Sequence, residues 1–417
     1  MENVIVKASE CRGCKSTDLK KIFCLNPTPV GDEYVEGYKV SVEQPLYPID
    51  LYMCQECNLA QLIDIVQPES IYADYIYLTE SSTDLSPHFK DYAQKVSEKI
   101  GLPKKSRVVD IGSNDGTLLN CFKNLDYTVI GVEPSGKISA LANARGLKTY
   151  NAYFNAATAT EIVDQDGKAD LITSNNVFAN VPDLHSWIEG INVLLSDNGV
   201  YVFESYYLMD VVKNFVFDFI YHEHLTSFSV KPVVTLFEKF NLKVASIDWV
   251  PTKGGSLRYY ITKPGNSKFS NDKTVAHYLK LEDEFKLYDP ATYEKFHEDI
   301  MLLKKASKEC LDQLKAEGKT VAAFGASITG TTLIYHFELE KYFPYLIDDN
   351  IAKQGTFSPG LHLPVYTRNA IRDLKPDYIY ILAWRFADKI IKNNQDYIKA
   401  GGKFIVPVPF FKIVDRA

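Results

Sequence analysis

Four cysteines stand in two Cys-x-x-Cys pairs, Cys11 with Cys14 and Cys54 with Cys57. Each pair can turn two thiolates toward one point, and two such turns complete a tetrahedral sulfur site for zinc. Four thiolates leave no open position on the metal, so its expected role is structural rather than catalytic. Disulfides compete on spacing, but nothing in the sequence suggests export, and thiols inside the cell stay reduced. A duplicated motif away from any strand-to-helix turn also argues against a thioredoxin-like redox pair. The odd thiol, Cys24, reads as a small buried apolar residue.

A second set of residues could do ligand chemistry. The stretch SRVVDIGSNDGTLLNCF places Gly112 and Gly116 in a loop with the carboxylates Asp110 and Asp115. About twenty residues on, YTVIGVEPS sets Glu133 at a strand end, where an acid can chelate both hydroxyls of a ribose. Asn114 occupies the position of the second glycine in the dinucleotide pattern G-x-G-x-x-G. A diphosphate needs that close backbone approach and a nucleoside on a sulfonium does not, so S-adenosylmethionine is preferred over NAD. A third set is FDFIYHEHLTSFS, in which Tyr221, His222, Glu223 and His224 follow one another among apolar residues. Burying four such groups requires partners, and histidine is the usual base near neutral pH, with tyrosine and glutamate able to orient it. The two histidines could alternatively ligate a metal or pack as satisfied core residues. The run Lys253-Gly-Gly-Ser-Leu-Arg258 offers backbone amides at Gly255, a hydroxyl at Ser256 and two cations, a set suited to a diphosphate. It also reads as a β-turn between two strands.

Positioning these residues takes alternating strands and helices. An amphipathic helix over 87–100 precedes the first strand and glycine loop, and strand-like segments recur at ADLITSNNVF and NGVYVFES. That order indicates a doubly wound parallel sheet with its ligand at the carboxyl ends of the strands. Helical, mixed-charge sequence over 273–317 reads as surface helices bridging two units. GKTVAAFGASITGTTLIYHF then repeats the strand, glycine loop and helix, and YFPYLIDDN ends the next strand in acids. That loop reads first as a packing element closing a cleft, with phosphate binding at its helix N-terminus as the rival.

The chain of 417 residues carries 46 basic and 53 acidic side chains, net −7, and is 46% apolar. These values describe a globular chain of two or three domains and argue against a polyanion-binding protein. No apolar run approaches the ~20 residues of a membrane span, and the N-terminus lacks a signal pattern, so a cytoplasmic protein is expected.

The chain resembles a known family, the nucleotide-sugar C-methyltransferases that act on carbon 3 of 4-keto-deoxyhexoses. The resemblance runs along essentially the whole chain. It rests on the two cysteine pairs, DIGSNDGTLL, NNVFANVPD, YHEHLTSFS, KGGSLRYY, FGASITGTTL and IDDNIAKQGTFSPG, in order and at family spacing. It implies an α/β protein of three parts: a zinc-binding head over 1–70, a central class I, Rossmann-like methyltransferase domain over 71–265, and a helical connector with a C-terminal Rossmann-like domain over 266–417. It further implies His224 as the base removing the C-3 proton, with Tyr221 and Glu223 positioning substrate and stabilising the enolate. The cofactor set then comprises Asp110, Gly112, Asn114, Asp115, Glu133, Pro134, Phe154 and Asn175. The nucleotide-linked ketosugar would meet Tyr75 (with Tyr77 as rival), Asn176, His222, Lys253, Gly255, Ser256 and Arg258. No nucleic-acid or membrane partner is expected, and the cleft could work in a monomer. The chain departs from usual family residues at Asn180, Lys253, Ile328 and Ala383-Trp384-Arg385, which bears on the identity of sugar and nucleotide. Rival readings are an O- or N-methyltransferase with a zinc ribbon for recognition, and a zinc-ribbon scaffold whose methyltransferase domain has decayed.

Overall fold

The computed structural model describes residues 5–67 and 85–416, so Tyr75 and Tyr77 lie outside the described residues. Two Cys-x-x-Cys turns, at Cys11–Cys14 and Cys54–Cys57, shape the first unit. In each, the residue after the second cysteine takes a left-handed backbone, Lys15 at φ 67° and Asn58 at φ 63°. Its N–H donates back to the first cysteine's carbonyl, Lys15 to Cys11 at 3.0 Å and Asn58 to Cys54 at 2.9 Å. The two knuckles flank a small antiparallel sheet of β2 (Leu19–Phe23), β3 (Leu51–Cys54) and β4 (Ala60–Leu62), beside a separate pair, β1 (Ile5–Lys7) with β5 (Asp64–Val66). Phe23 points into the core at the end of β2, and strand alternation turns Cys24 outward. Cys24 is therefore exposed, correcting the expectation that it is buried.

The central sheet has the order β12-β13-β10-β9-β6-β7-β8. Its parallel strands are β6 (Arg107–Ile111), β7 (Thr128–Val132), β8 (Thr149–Tyr150), β9 (Ala169–Asn175) and β10 (Leu195–Tyr206). Antiparallel β13 (Ser256–Thr262) pairs with β10, and β12 (Lys243–Val250) closes the edge. Strand order reverses between β6 and β9, and such a switch point opens a crevice at the strands' carboxyl ends. The helix predicted over 87–100 is observed as Leu85–Lys99. The strand β11 (Thr226–Ser227), immediately after the Tyr221–His224 segment, does not join this sheet. It completes the head sheet instead, pairing Thr226 with Gln61 and Ser227 with Ala60.

The C-terminal sheet has the order β16-β15-β14-β17-β18-β19. Parallel β14 (Val321–Phe324), β15 (Leu346–Ile347), β16 (Val365–Tyr366), β17 (Tyr378–Ile381) and β18 (Lys403–Val406) end in antiparallel β19 (Lys412–Val414). The mixed-charge region forms Thr274–Phe285 and the long helix Pro290–Ala316, whose Tyr293, Phe296, Ile300 and Leu311 are buried. Phe296 packs on Phe23 of the head with ring centroids 4.8 Å apart.

The head touches both larger units. The Gly13 carbonyl accepts from His185 Nε2 at 3.0 Å, and Asn26 Nδ2 donates to the Tyr335 carbonyl at 3.1 Å. Thr331 Oγ1 donates to the Gly31 carbonyl at 3.1 Å. One continuous apolar core includes Leu59 of the head, Phe203 of the central sheet and Leu333 of the C-terminal unit. Among the described residues, no helix is long and apolar enough to cross a membrane.

Candidate active site

A cavity of about 1500 Å³ opens between the carboxyl ends of the central and C-terminal sheets, with Asp32 of the head on its wall. Its first region follows β6 and β7. Gly112 sits at φ +72°, where a Cβ would come within 2.4 Å of Val177, so only glycine lets the loop pass there. The Glu133 carboxylate is tied at both oxygens, Oε2 accepting from the Asn114 N–H at 3.0 Å and Oε1 from the Ser135 N–H at 2.9 Å. Burial raises its pKa. Pro134, Phe154, Asn175 and Asn176 line the same wall. Both polar atoms of the Asn175 side chain and Oδ1 of Asn176 are buried without a hydrogen-bond partner. Buried polar groups are otherwise satisfied, so these orphans call for a polar ligand. The loop, the strand-end acid and the orphaned amides fit S-adenosylmethionine.

Two members of the expected cofactor set are turned elsewhere. Asp110 accepts from Thr173 Oγ1 at 2.6 Å across the β6–β9 ladder and is absent from the cavity wall. Asp115 Oδ1 takes the Thr117 N–H at 3.1 Å and Oγ1 at 2.6 Å, capping the following helix. Both act on the loop's shape instead of on a ligand. Burial, with the Glu133 charge adding and the Thr173 bond opposing, pushes Asp110 up to about 7. A carboxyl whose folded pKa is raised contributes stability that is present below its unfolded value near 4 and lost as pH rises through about 7. Asp110→Asn keeps an acceptor for Thr173, so it is expected to be more stable than wild type by about 1–2 kcal/mol at pH 8 and not at pH 4. Urea unfolding at the two pH values measures this.

The second region is the Tyr221–His224 segment. His224 Nδ1 is 2.8 Å from the Phe219 carbonyl, which can only accept, so Nδ1 carries the proton and Nε2 the lone pair. The Tyr221 hydroxyl is 2.8 Å from Nε2 and donates to it, with the two rings stacked at 4.0 Å. Burial, then the charge of Lys253, holds His224 well below the usual imidazole range. It is a neutral imidazole of one tautomer. Glu223 also faces the cavity, pushed up to about 7 by burial and then by Asp32, against Lys253 and Lys353. His222 points the other way. Its Nε2 donates to the Tyr47 carbonyl of the head at 3.2 Å and burial pulls it down to about 4, which corrects its expected place on the substrate side. With the histidines facing apart, a shared metal is excluded for this pair.

The Lys253 run divides likewise. Lys253 and Gly254 line the cavity, on the expected turn, which joins β12 to β13. Gly255, Ser256 and Arg258 do not line it, a correction to the expected diphosphate set. At φ +125° a Cβ on Gly255 would meet Asp210, and the Ser256 hydroxyl donates to the Thr252 carbonyl at 2.9 Å. Arg258 lies opposite Glu204 in the β10–β13 register, donating to Oε2 from Nε at 3.2 Å and Nη2 at 2.9 Å. Its guanidinium also covers the Tyr92 ring at 4.2 Å. Arg258→Met leaves Glu204 buried without its cation and is expected to cost about 3–5 kcal/mol of stability, much of it recovered in Arg258→Met with Glu204→Gln. Chemical denaturation of both variants measures this, whereas a diphosphate ligand would lose affinity at unchanged stability.

The glycine loop after β14 reaches the cavity too, through Gly325, Ser327, Ile328 and Thr329. Asp348 accepts from the Ala326 N–H at 2.6 Å and the Asn350 N–H at 2.7 Å, the arrangement that Glu133 makes in the central unit. Sequence reading passed over Glu204 and Phe219, and met Arg385 only as an unusual residue. Glu204 could have been found by its place at a strand end, the same signal that marked Glu133. Phe219 carries no signal of its own, since its carbonyl does the work.

In the head, Cys11 and Cys57 are 3.6 Å apart at sulfur, Cys14 and Cys54 3.4 Å, and all four sulfurs lie within 4.8 Å. Among the described residues this is the one group of three or more potential ligands so gathered. Without a cation the thiols cannot ionise together: Cys57 donation lowers Cys11 to about 5 while burial pushes Cys14 up to about 11. Four sulfurs with no carboxylate or water position suit tetrahedral zinc. Arg12, inside the first knuckle and buried, donates from Nη1 to the Leu225 carbonyl at 2.8 Å and from Nη2 to the Leu62 carbonyl at 2.7 Å.

Three protein-family models match the chain: a zinc binding domain at residues 11–72, a methyltransferase domain at 85–247 and a C-methyltransferase C-terminal domain at 251–409. The C-methyltransferase NovU of Streptomyces niveus is 30% identical over 415 residues, 99% of each chain. A ubiquinone biosynthesis O-methyltransferase of Rhodopseudomonas palustris is 28% identical over 114 residues, 27% of this chain and 44% of the relative. An S-adenosylmethionine-dependent methyltransferase from Clostridium acetobutylicum, known by crystal structure, aligns with a TM-score of 0.34 at 15% identity, over 47% of this chain and 96% of that one.

Proposed function

This chain belongs to the C-methyltransferase family and uses S-adenosylmethionine and zinc, and on that premise we propose that it methylates a ring carbon, C-3, of a nucleotide-linked 4-keto-deoxysugar. The observation that carries this reading is His224, a neutral, tautomer-locked base on the wall of the cavity that also holds the Gly112 and Glu133 loops. A carbon nucleophile has to be made by removing a proton, and a hydrogen beside a carbonyl is acidic enough to be removed by a positioned imidazole.

S-adenosylmethionine, when bound, supplies an electrophilic methyl group. His224 Nε2 takes the C-3 proton, and the freed electron pair spreads onto the C-4 carbonyl oxygen. Tyr221, whose hydroxyl gives up its bond to Nε2, turns to that oxygen. Held along the Gly112 loop, Glu133 and Asn175, the cofactor would supply its methyl group to the carbon so freed and leave as S-adenosylhomocysteine. Proximity inside the cavity does most of the work, with no covalent enzyme intermediate. Asn176 and Glu223 hold the sugar hydroxyls in this reading. The division into a head to residue 70, a methyltransferase unit to 265 and a C-terminal unit is proposed with it, the cleft serving one chain as a monomer.

Mass spectrometry of a panel of nucleotide 4-ketosugars incubated with enzyme and cofactor in deuterated water tests the reading. One added methyl, with solvent deuterium entering the ring carbon beside the carbonyl, is the expected result. Methylation at oxygen or nitrogen, or no exchange at carbon, overturns it.

A further inference from the structure

Two cations beside His224 make no ion pair or hydrogen bond to a carboxylate among the described residues. Arg385, in the turn Trp384–Phe386, lays its guanidinium 3.9 Å from the centroid of the Phe219 ring, and its Nη1 is buried without a hydrogen-bond partner. Lys253 approaches the same ring from the Thr252–Gly254 turn, Nζ 6.0 Å from the centroid, on a left-handed backbone of φ 56°. Both line the cavity, and neither has a hydrogen bond or ion pair among the described residues. Of the carboxylates nearby, Glu204 is paired with Arg258 and Asp32 with Lys353, while Asp218, whose Oδ2 takes Trp384 Nε1 at 2.9 Å and whose Oδ1 is buried without a partner, is pushed up to about 6 by burial against the pull of Arg385. Glu223 faces Lys253 and is itself pushed toward its neutral form.

Phe219 also carries the carbonyl that holds His224 Nδ1, and the two rings lie 5.7 Å apart. The base and both cations are thus gathered round one residue. Keeping two half-buried cations without an ion pair is costly, and they weaken the base as well. The arrangement becomes favourable when an anion forms between them. We propose that Lys253 and Arg385 are catalytic residues that hold the oxyanion developing on the ring carbonyl oxygen as His224 takes the adjacent proton. This rests on the enolate reading above. The proton goes to Nε2, the electron pair to the carbonyl oxygen, and the two cations meet that charge until the carbon–methyl bond forms. Groups that act on charge present only in the transition state change turnover and leave ground-state affinity largely alone. A diphosphate held by the same pair would be bound in the ground state, and its loss would appear in affinity.

The test uses the full chain loaded with zinc and S-adenosylhomocysteine, in deuterated water, with the panel member that wild type exchanges, beginning from a thymidine diphosphate 4-keto-6-deoxyhexose. Proton NMR follows exchange at the ring carbon and calorimetry follows sugar-nucleotide affinity. Arg385→Met and Lys253→Met are each expected to slow exchange at saturating substrate by about 10²–10³-fold, with affinity changed less than about threefold. Both are expected to melt no lower than wild type, because each removes a half-buried charge that no ion pair satisfies, and Arg385→Lys is expected to recover part of the rate. Affinity falling tenfold or more at unchanged saturating exchange assigns the pair to the diphosphate and overturns the proposal. Unchanged rates in both variants overturn it too and leave the enolate reading intact. Absence of exchange in wild type across the panel removes the enolate reading and the proposal together.

Discussion

His224→Ala is expected to lower methyl transfer by about 10²–10⁴-fold, the range for loss of a positioned general base, while S-adenosylmethionine binds as in wild type. The split follows from where His224 sits. Its ring is held by the Phe219 carbonyl and stacked between Tyr221 at 4.0 Å and Tyr206 at 4.6 Å, and none of these three belongs to the Gly112 or Glu133 loops. Deleting the imidazole removes the lone pair at Nε2 and leaves the cofactor region untouched. Solvent exchange at the ring carbon should fall in step with methyl transfer, because both need the same proton removed. Calorimetry with S-adenosylmethionine and a methyl-transfer assay on one preparation decide the matter. Full activity in the variant would falsify the assignment. Since His224 is neutral well below pH 6.5, no acid limb from its protonation is expected near neutrality.

Removal of zinc is expected to have an effect of similar size through a different route. In small metal-organised folds the metal contributes about 10–16 kcal/mol of apparent binding energy, which is folding energy. Here the head is not a separable ornament. β11, which begins two residues after His224, is an edge strand of the head sheet. Arg12 of the first knuckle donates to the Leu225 carbonyl, next to the base. Cys54→Ser, or chelation of wild type, is therefore expected to lower methyl transfer by at least about 10²-fold along with loss of one zinc per chain. Elemental analysis, circular dichroism and activity on the same sample measure it. A zinc-free protein that kept its rate would separate the head from the base.

Where a ligand set lies within a few residues, chain order alone revealed it. The two cysteine pairs converge on one point, and Gly112, Glu133, Tyr221, Glu223 and His224 meet on one cavity. The errors fall at residues whose partners come from another strand or another unit. His222 and His224 differ by two positions, yet one faces Tyr47 of the head and the other faces the cavity. Nothing in the tetrapeptide says which, since the direction depends on a head strand about 160 residues earlier pairing with β11. Arg258 looked available for a diphosphate until the β10–β13 register set it opposite Glu204. Cys24 was misjudged because its own apolarity weighed more than the alternation that already turns Phe23 inward.

The sequence by itself determined the chemistry on offer: a sulfur site for a metal, a loop for an adenosyl cofactor and a cluster of titratable side chains at Tyr221–His224, each written in short-range spacing. Only the tertiary structure decided which side chains that chemistry employs. Cross-strand register consumed Arg258, the head sheet claimed His222, and the packing of the C-terminal unit on Phe219 brought Arg385 beside Lys253 and the base. Those choices are made by burial, where a charge must find a partner or wait for a ligand, and burial is a property of the assembled chain.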